Sequence, residues 1–231
     1  MTPVLQVRRV SKRYGNQIAL SDVSFEVQPS RMVGLLGPNG SGKTTLIKII
    51  NNLITDYEGE VLIGENTPGI ESKREVSYLP DRMMLPDWLK VKDILHYYKD
   101  FFVDFDMERA QELLEALQLD QRKRISTMSK GAKEKLQISL VMARRAKLYV
   151  LDEPIAGVDP AAREFIMKTI MQSFTDGSSI LLSTHIIGEV EVLFDDVIFL
   201  KNGEIVLQDA AEDIRAREGK SIDELFREVF R

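Results

Sequence analysis

The chain has 231 residues, 44% hydrophobic and 29% charged, with a formal net charge of −5 and no cysteine. That length can build one large core, or a core carrying a subdomain; the acidic balance argues against a broad grip on nucleic acid, and the missing thiols exclude disulfides, thiolate catalysis and zinc–thiolate sites. No apolar run approaches the roughly 20 residues of a transmembrane helix, and the opening Met1-Thr2-Pro3-Val4-Leu5-Gln6 lacks the basic and apolar regions of a signal peptide, so cytoplasmic residence is expected and another chain must cross any membrane involved.

Residues 4–7, 23–27 and 33–36 are short apolar runs separated by Gly, Asn, Pro and Ser, which predicts strands and turns. Leu46, Ile49, Ile50 and Leu53 follow at i, i+3, i+4 and i+7, one face of a helix. From about 87 to 145 the pattern is helical, with Ala110, Leu113, Leu114 and Leu117 on one face and Glu, Lys and Arg between them. This reads as an all-helical insert between β-rich segments. Alternation then returns: a buried strand at 148–151, a helix at 160–174, a strand at 180–183. Residues 197–200 and 205–207 flank Asn202-Gly203, a tight hairpin. Ser221-Ile222-Asp223-Glu224 is a capping box, and Ile222, Leu225, Phe226, Val229 and Phe230 fall on one face behind it. Strand and helix in alternation predict an α/β fold on a mainly parallel sheet.

Two segments carry chemistry. Gly37-Pro38-Asn39-Gly40-Ser41-Gly42-Lys43-Thr44 fits G-x-x-x-x-G-K-[ST], between the strand at 33–36 and a helix expected from Thr45. Glycines let successive backbone N–H groups face a polyphosphate, and the helix N-terminus adds unpaired N–H groups and about half a positive charge. Lys43 would reach the β- and γ-phosphates and Thr44 would place its hydroxyl on Mg²⁺. Further on, the apolar run 148–151 ends in Asp152-Glu153. Paired acids closing a buried strand face a ligand or metal at the sheet's C-terminal edge. Asp152 is the candidate Mg²⁺ ligand, and Glu153 the candidate general base for the attacking water.

Four more segments resemble one family. Met128-Ser129-Lys130-Gly131-Ala132, followed by Lys133-Glu134-Lys135-Leu136, resembles the L-S-G-G-Q signature of the ABC (ATP-binding cassette) ATPases. Ala156-Gly157-Val158-Asp159 resembles their D-loop, Ser183-Thr184-His185 their H-loop, and Tyr14 the A-loop aromatic that stacks on adenine. The motifs stand in the family's order along essentially the whole chain. The resemblance implies a RecA-like P-loop NTPase core at 1–81 and 146–231, an antiparallel β edge, and a helical subdomain at 82–145. It implies ATP held by Tyr14 and by Gly37, Pro38, Asn39, Gly40, Ser41, Gly42, Lys43, Thr44 and Thr45. His185 would contact the γ-phosphate, and Ser129 and Gly131 would contact the phosphate bound by an opposite subunit, with Asp159 at the junction. Ser129 also reads as a helix N-cap, and Tyr14 as a half-buried strand residue.

Three positions depart from the family pattern, one of them Ala132 in place of the signature Gln. Asp81, in Ser77-Tyr78-Leu79-Pro80-Asp81, stands where the family has Gln and is a candidate for the metal shell. Lys130 replaces the first signature Gly, a variant similar to the exporter branch linked to antibiotic and lantibiotic efflux. The expected protein is therefore an Mg²⁺-dependent ATPase at the inner face of the cell membrane. It would pair with itself or a related subunit and drive an integral membrane partner. Leu85, Trp88 and Leu89 are candidates for that docking groove or for local packing, and His96 is expected to be structural. The alternative is a soluble ABC ATPase of repair, translation or cluster assembly, disfavoured by the single cassette, the absence of inserted modules and the acidic charge. A sensor that binds without turnover is disfavoured by the presence of Glu153 and His185.

Overall fold

The computed structural model describes residues 2–174 and 177–231. The chain opens with β1 (Leu5–Tyr14), β2 (Gln17–Val27) and β3 (Met32–Leu36), then α1 (Lys43–Ile50), β4 (Glu58–Ile63), α2 (Ser72–Glu75) and β5 (Val76–Leu79). Three longer helices follow: α3 (Val91–Phe101), α4 (Met107–Ala116) and α5 (Lys130–Met142). The last part holds β6 (Leu148–Asp152), α6 (Pro160–Ser173), β7 (Ser179–Thr184), β8 (Asp196–Lys201), β9 (Glu204–Ala210), α7 (Ala211–Glu218) and α8 (Ile222–Val229).

The strands form two sheets. The larger has the order β5-β6-β7-β3-β8-β9, and every pairing in it is parallel except β8 with β9. Its inner strands β3, β6 and β7 are buried along their whole length, as a parallel sheet covered on both faces requires. The smaller sheet, β2-β1-β4, is antiparallel. Leu35, Val150 and Leu181 of the large sheet pack with Val7 and Phe25 of the small one and with Leu46 and Ile47 of α1. On the opposite face, Leu36, Leu151 and Ile180 meet Ile166 of α6, Ile214 of α7 and Ile222 of α8.

A third core joins Leu85, Val91, Ile94, Leu95, Leu114, Leu136 and Leu140 among α3, α4 and α5. Helix α5 serves two cores, giving Leu136 and Leu140 to this one and Ile138, Val141 and Met142 to the sheet. Arg144, just beyond it, clasps the Asp104 carboxylate and donates to Val76 O at the start of β5.

Some expectations need correction. The first helix starts at Lys43 rather than Thr45, and it ends at Ile50; Asn52 turns left-handed (φ 54°) and Leu53 projects into solvent instead of joining the buried face. The first two strands are roughly twice as long as their apolar runs, because β1 and β2 continue as an antiparallel ribbon through exposed Arg8 and Arg9. Leu85 is buried in the helical core, whereas Trp88 is 74% exposed. The hairpin turns at Asn202 and Gly203, both left-handed, and the capping box is complete, with Ser221 Oγ accepting from Glu224 N while Glu224 Oε2 accepts from Ser221 N. Behind it Phe226 and Phe230 pack on Phe199. His96 is exposed, its Nδ1 2.7 Å from Lys92 O of its own helix. Among the described residues no helix is long and apolar enough to cross a membrane.

Candidate functional site

The parallel strands deliver their C-terminal ends to one edge, and the loops that leave them build a hollow of about 320 Å³. Tyr14, Asn39, Gly40, Lys43, Thr44, Thr45, Asp81 and Glu153 line it. Strand β3 feeds the loop 37–42, and α1 begins directly behind it. Gly42 is fixed by geometry: its φ is 111°, and a Cβ there would lie 2.6 Å from Ala19 O. Lys43 is buried at the first helical position and its Nζ donates to Gly37 O (2.7 Å) and Pro38 O (3.2 Å), so the side chain folds back over the loop. Ser41 Oγ is buried beside it with no hydrogen-bond partner among the described residues.

Strand β6 places Asp152 opposite Ser183 of β7 in the ladder. Asp152 Oδ1 accepts from Ser183 Oγ at 2.6 Å and from Thr44 Oγ1 at 3.4 Å, while Oδ2 is buried without a partner among the described residues. Burial raises the Asp152 pKa above the usual carboxylate range, and the charges of Asp81 and Glu153 add to the rise; the two hydroxyl donors oppose it. Tyr78, next to this cluster on β5, is also pushed up by burial and by the charges of Asp152 and Asp81.

Glu153 leaves the strand with φ 51°, a left-handed turn that swings its carboxylate across the loop. Its N–H is held by Ser183 O and Oγ, both at 3.1 Å. One carboxylate oxygen lies 3.3 Å from Lys43 Nζ, and the other 2.9 Å from His185 Nδ1. An acid at 153, a lysine on the phosphate loop and a histidine after β7 thus share one carboxylate.

Ser129, Gly131 and Asp159 are brought together elsewhere, around a separate hollow of about 170 Å³. Ser129 caps α5 by accepting from Ala132 N, and Asp159 caps α6 by accepting from Ala162 N, with Pro160 at its first position. Asp159 lies against the first turn of α5: a Cβ on Gly131 would lie 2.6 Å from Asp159 Oδ2. Lys130 Nζ reaches Gly157 O at 3.0 Å, tying α5 to the turn that follows Glu153. Asp81 borders a third hollow as well, of about 540 Å³, between 79–87 and α5.

Sequence reasoning gave Ser183 no role of its own, although it anchors both acids. Its signal was a polar residue ending an otherwise apolar strand, which has meaning only once β7 is known to lie beside β6. Arg163 was also missed; it joins Glu189, four residues after His185, to Val158 O.

A glycine-rich loop between a buried strand and a helix, with a second strand delivering adjacent acids to it, defines a P-loop nucleoside-triphosphate-binding protein. A family model described as "ABC transporter" matches residues 20–156, more than half of the chain. The linearmycin resistance ATP-binding protein LnrL of Bacillus subtilis is 30% identical over 224 residues, 94% of this chain and 72% of that protein. The Nod factor export ATP-binding protein I of Cupriavidus metallidurans is 31% identical, over 88% of this chain and 70% of that one. Among solved structures, an ATP-binding subunit of an ABC transporter superimposes with a TM-score of 0.88 and 31% identity, covering 99% of this chain and 100% of that one. A dimeric cassette bound to ADP and Pi shares the fold at a TM-score of 0.76 and 22% identity, over 89% of this chain and 98% of that one. The chain belongs to the ABC transporter family of ATP-binding proteins.

Proposed function

We propose that this chain is the Mg²⁺-dependent ATP-hydrolysing subunit of an exporter. It works at the inner face of the membrane as one of two ATP-binding subunits, identical or related, beneath an integral membrane partner. The observation that carries the reading is the Glu153 carboxylate poised between Lys43 and His185 over the phosphate loop. The names of the linearmycin-resistance and Nod-factor-export relatives favour export as the direction. The segment 82–145 is assigned as a helical subdomain because α3, α4 and the flank of α5 enclose a core of their own.

Lys43 supplies the charge that compensates the β- and γ-phosphates, and Tyr14 offers a ring to the base. Thr44 and Asp152 present hard oxygens side by side, with Asp152 Oδ2 free of other partners, a donor set that suits Mg²⁺. Asp81 stands at the same hollow as a further oxygen donor. Phosphate and water oxygens would complete the shell of such a hard cation. Mg²⁺ would supply neutralisation of the phosphoryl oxygens. Glu153 takes the proton of the attacking water, and His185, bonded to the same carboxylate, fixes its orientation. Ser129 and Gly131 meet the γ-phosphate held by the second subunit, at a helix N-terminus suited to anions.

Replacing Glu153 by Gln tests this. ATP binding persists while turnover falls roughly 10²–10⁴-fold, the usual worth of a general base. A Glu153→Gln protein that hydrolyses ATP at the wild-type rate removes Glu153 from the mechanism.

A further inference from the structure

Lys12 lies on β1, two residues before Tyr14, with a side chain only 7% exposed. Its ammonium meets Asp56 Oδ2 at 3.0 Å and sits over the Tyr14 ring, 5.0 Å from the centroid. Asp56 is fully exposed, so that ion pair is screened by water and contributes little. Holding an ammonium away from solvent is unfavourable unless its neighbours compensate. A solvated partner does so poorly, which leaves the ring as the reason for the placement. Residues i and i+2 of a strand share a face, and the β1–β2 ladder slips on both sides of Lys12, a distortion of the kind that re-aims side chains beside sites.

Tyr14 is half exposed and borders the same hollow as Gly40, Lys43 and Thr44. A cation against one face of an aromatic ring is attracted to its π electrons. The ring is then fixed from one side, and its face toward the hollow is left to a ligand.

We propose that Lys12 is a positioning residue for base recognition, bracing the Tyr14 ring from behind so that its open face receives the purine of the nucleotide. The inference rests on the reading above that the loop binds ATP and that Tyr14 stacks on its base. Lys12 touches no phosphate in this scheme, so its effect must appear only with ligands that carry a base.

The test is calorimetric titration of the full chain with ATP and with inorganic tripolyphosphate, comparing wild type, Lys12→Met, Lys12→Arg and Tyr14→Ala. Lys12→Met is expected to weaken ATP binding by about two- to tenfold, the range of a partly shielded cation–π contact. Tripolyphosphate binding stays unchanged, and Lys12→Arg restores most of the ATP affinity. Three results overturn the proposal: Lys12→Met binding ATP like wild type, a proportional loss of both ligands, or no rescue by Arg. If Tyr14→Ala leaves ATP affinity intact, the stacking role itself falls, and Lys12's role with it. If Tyr14→Ala weakens ATP while Lys12→Met does not, only the role of Lys12 falls. Failure of wild type to bind either ligand overturns the ATP reading. Should thermal melts show that Lys12→Met does not fold, Lys12→Gln, neutral and of similar reach, takes its place.

Discussion

Asp152 occupies a position that favours the neutral acid: it is buried, one oxygen has no donor, and Asp81 and Glu153 add negative charge nearby. Its pKa in the fold is raised above that in the unfolded chain, so protonation stabilises the native state. The destabilisation is absent below the unfolded pKa near 4. It sets in as pH rises toward the raised native value and persists above it. Asp152→Asn is therefore expected to make the ligand-free protein more resistant to urea at pH 8, with the advantage shrinking toward pH 4, while ATP turnover is lost. An Asn variant less stable than wild type at pH 8 would show that the carboxylate is better solvated than its burial implies.

At the level of the element, capping gives the opposite sign. Asp106 caps α4, accepting from Arg109 N at 3.0 Å and from the Arg145 side chain at 2.7 Å. The Arg109 N–H first, then the Arg145 bond, hold its pKa below the ordinary range. Its contribution is thus present above the unfolded pKa and lost as pH falls through the lowered native one. Asp106→Ala is expected to cost about 1 kcal/mol at pH 7, as for other caps, and less in acid, where the charge-dependent part is lost while the neutral carboxyl can still accept a bond; denaturant midpoints at pH 7 and in acid check this. Such local features were legible in the sequence. The phosphate loop, the acid pair after an apolar strand, the Asn202-Gly203 hairpin and the Ser221–Glu224 box each declare themselves within a few residues. Long-range features were not. The exposed reach of β1 and β2 depends on cross-strand partners, Leu53 looked helical because period alone does not say where α1 stops, and Ser183 gained its role from a residue 31 positions earlier.

For the whole molecule, the decisive fact is that Lys43 and Ser129 line separate hollows. On the proposed function, a site using both draws them from two chains, and a two-fold pairing supplies this naturally. Lys43→Ala and Ser129→Arg chains, each inactive alone, are expected to regain one composite site per mixed dimer. The Ser129→Arg chain keeps its own phosphate loop and still binds ATP alone, so the readout is an added, tighter ATP binding that needs both chains and rises with dimer concentration; a mixture that binds no more tightly than its parts would sink the shared-site arrangement. The turn at Glu153 has a consequence of another kind. A left-handed backbone at a non-glycine residue is unfavourable by about 1–3 kcal/mol, and glycine would relieve it. Buried Asp152 next to it is also a residue that folding alone would not choose. In a lineage no longer selected for turnover, drift is therefore biased to erase these two acids first. A duplicated gene would then encode a sturdier cassette that no longer turns over ATP.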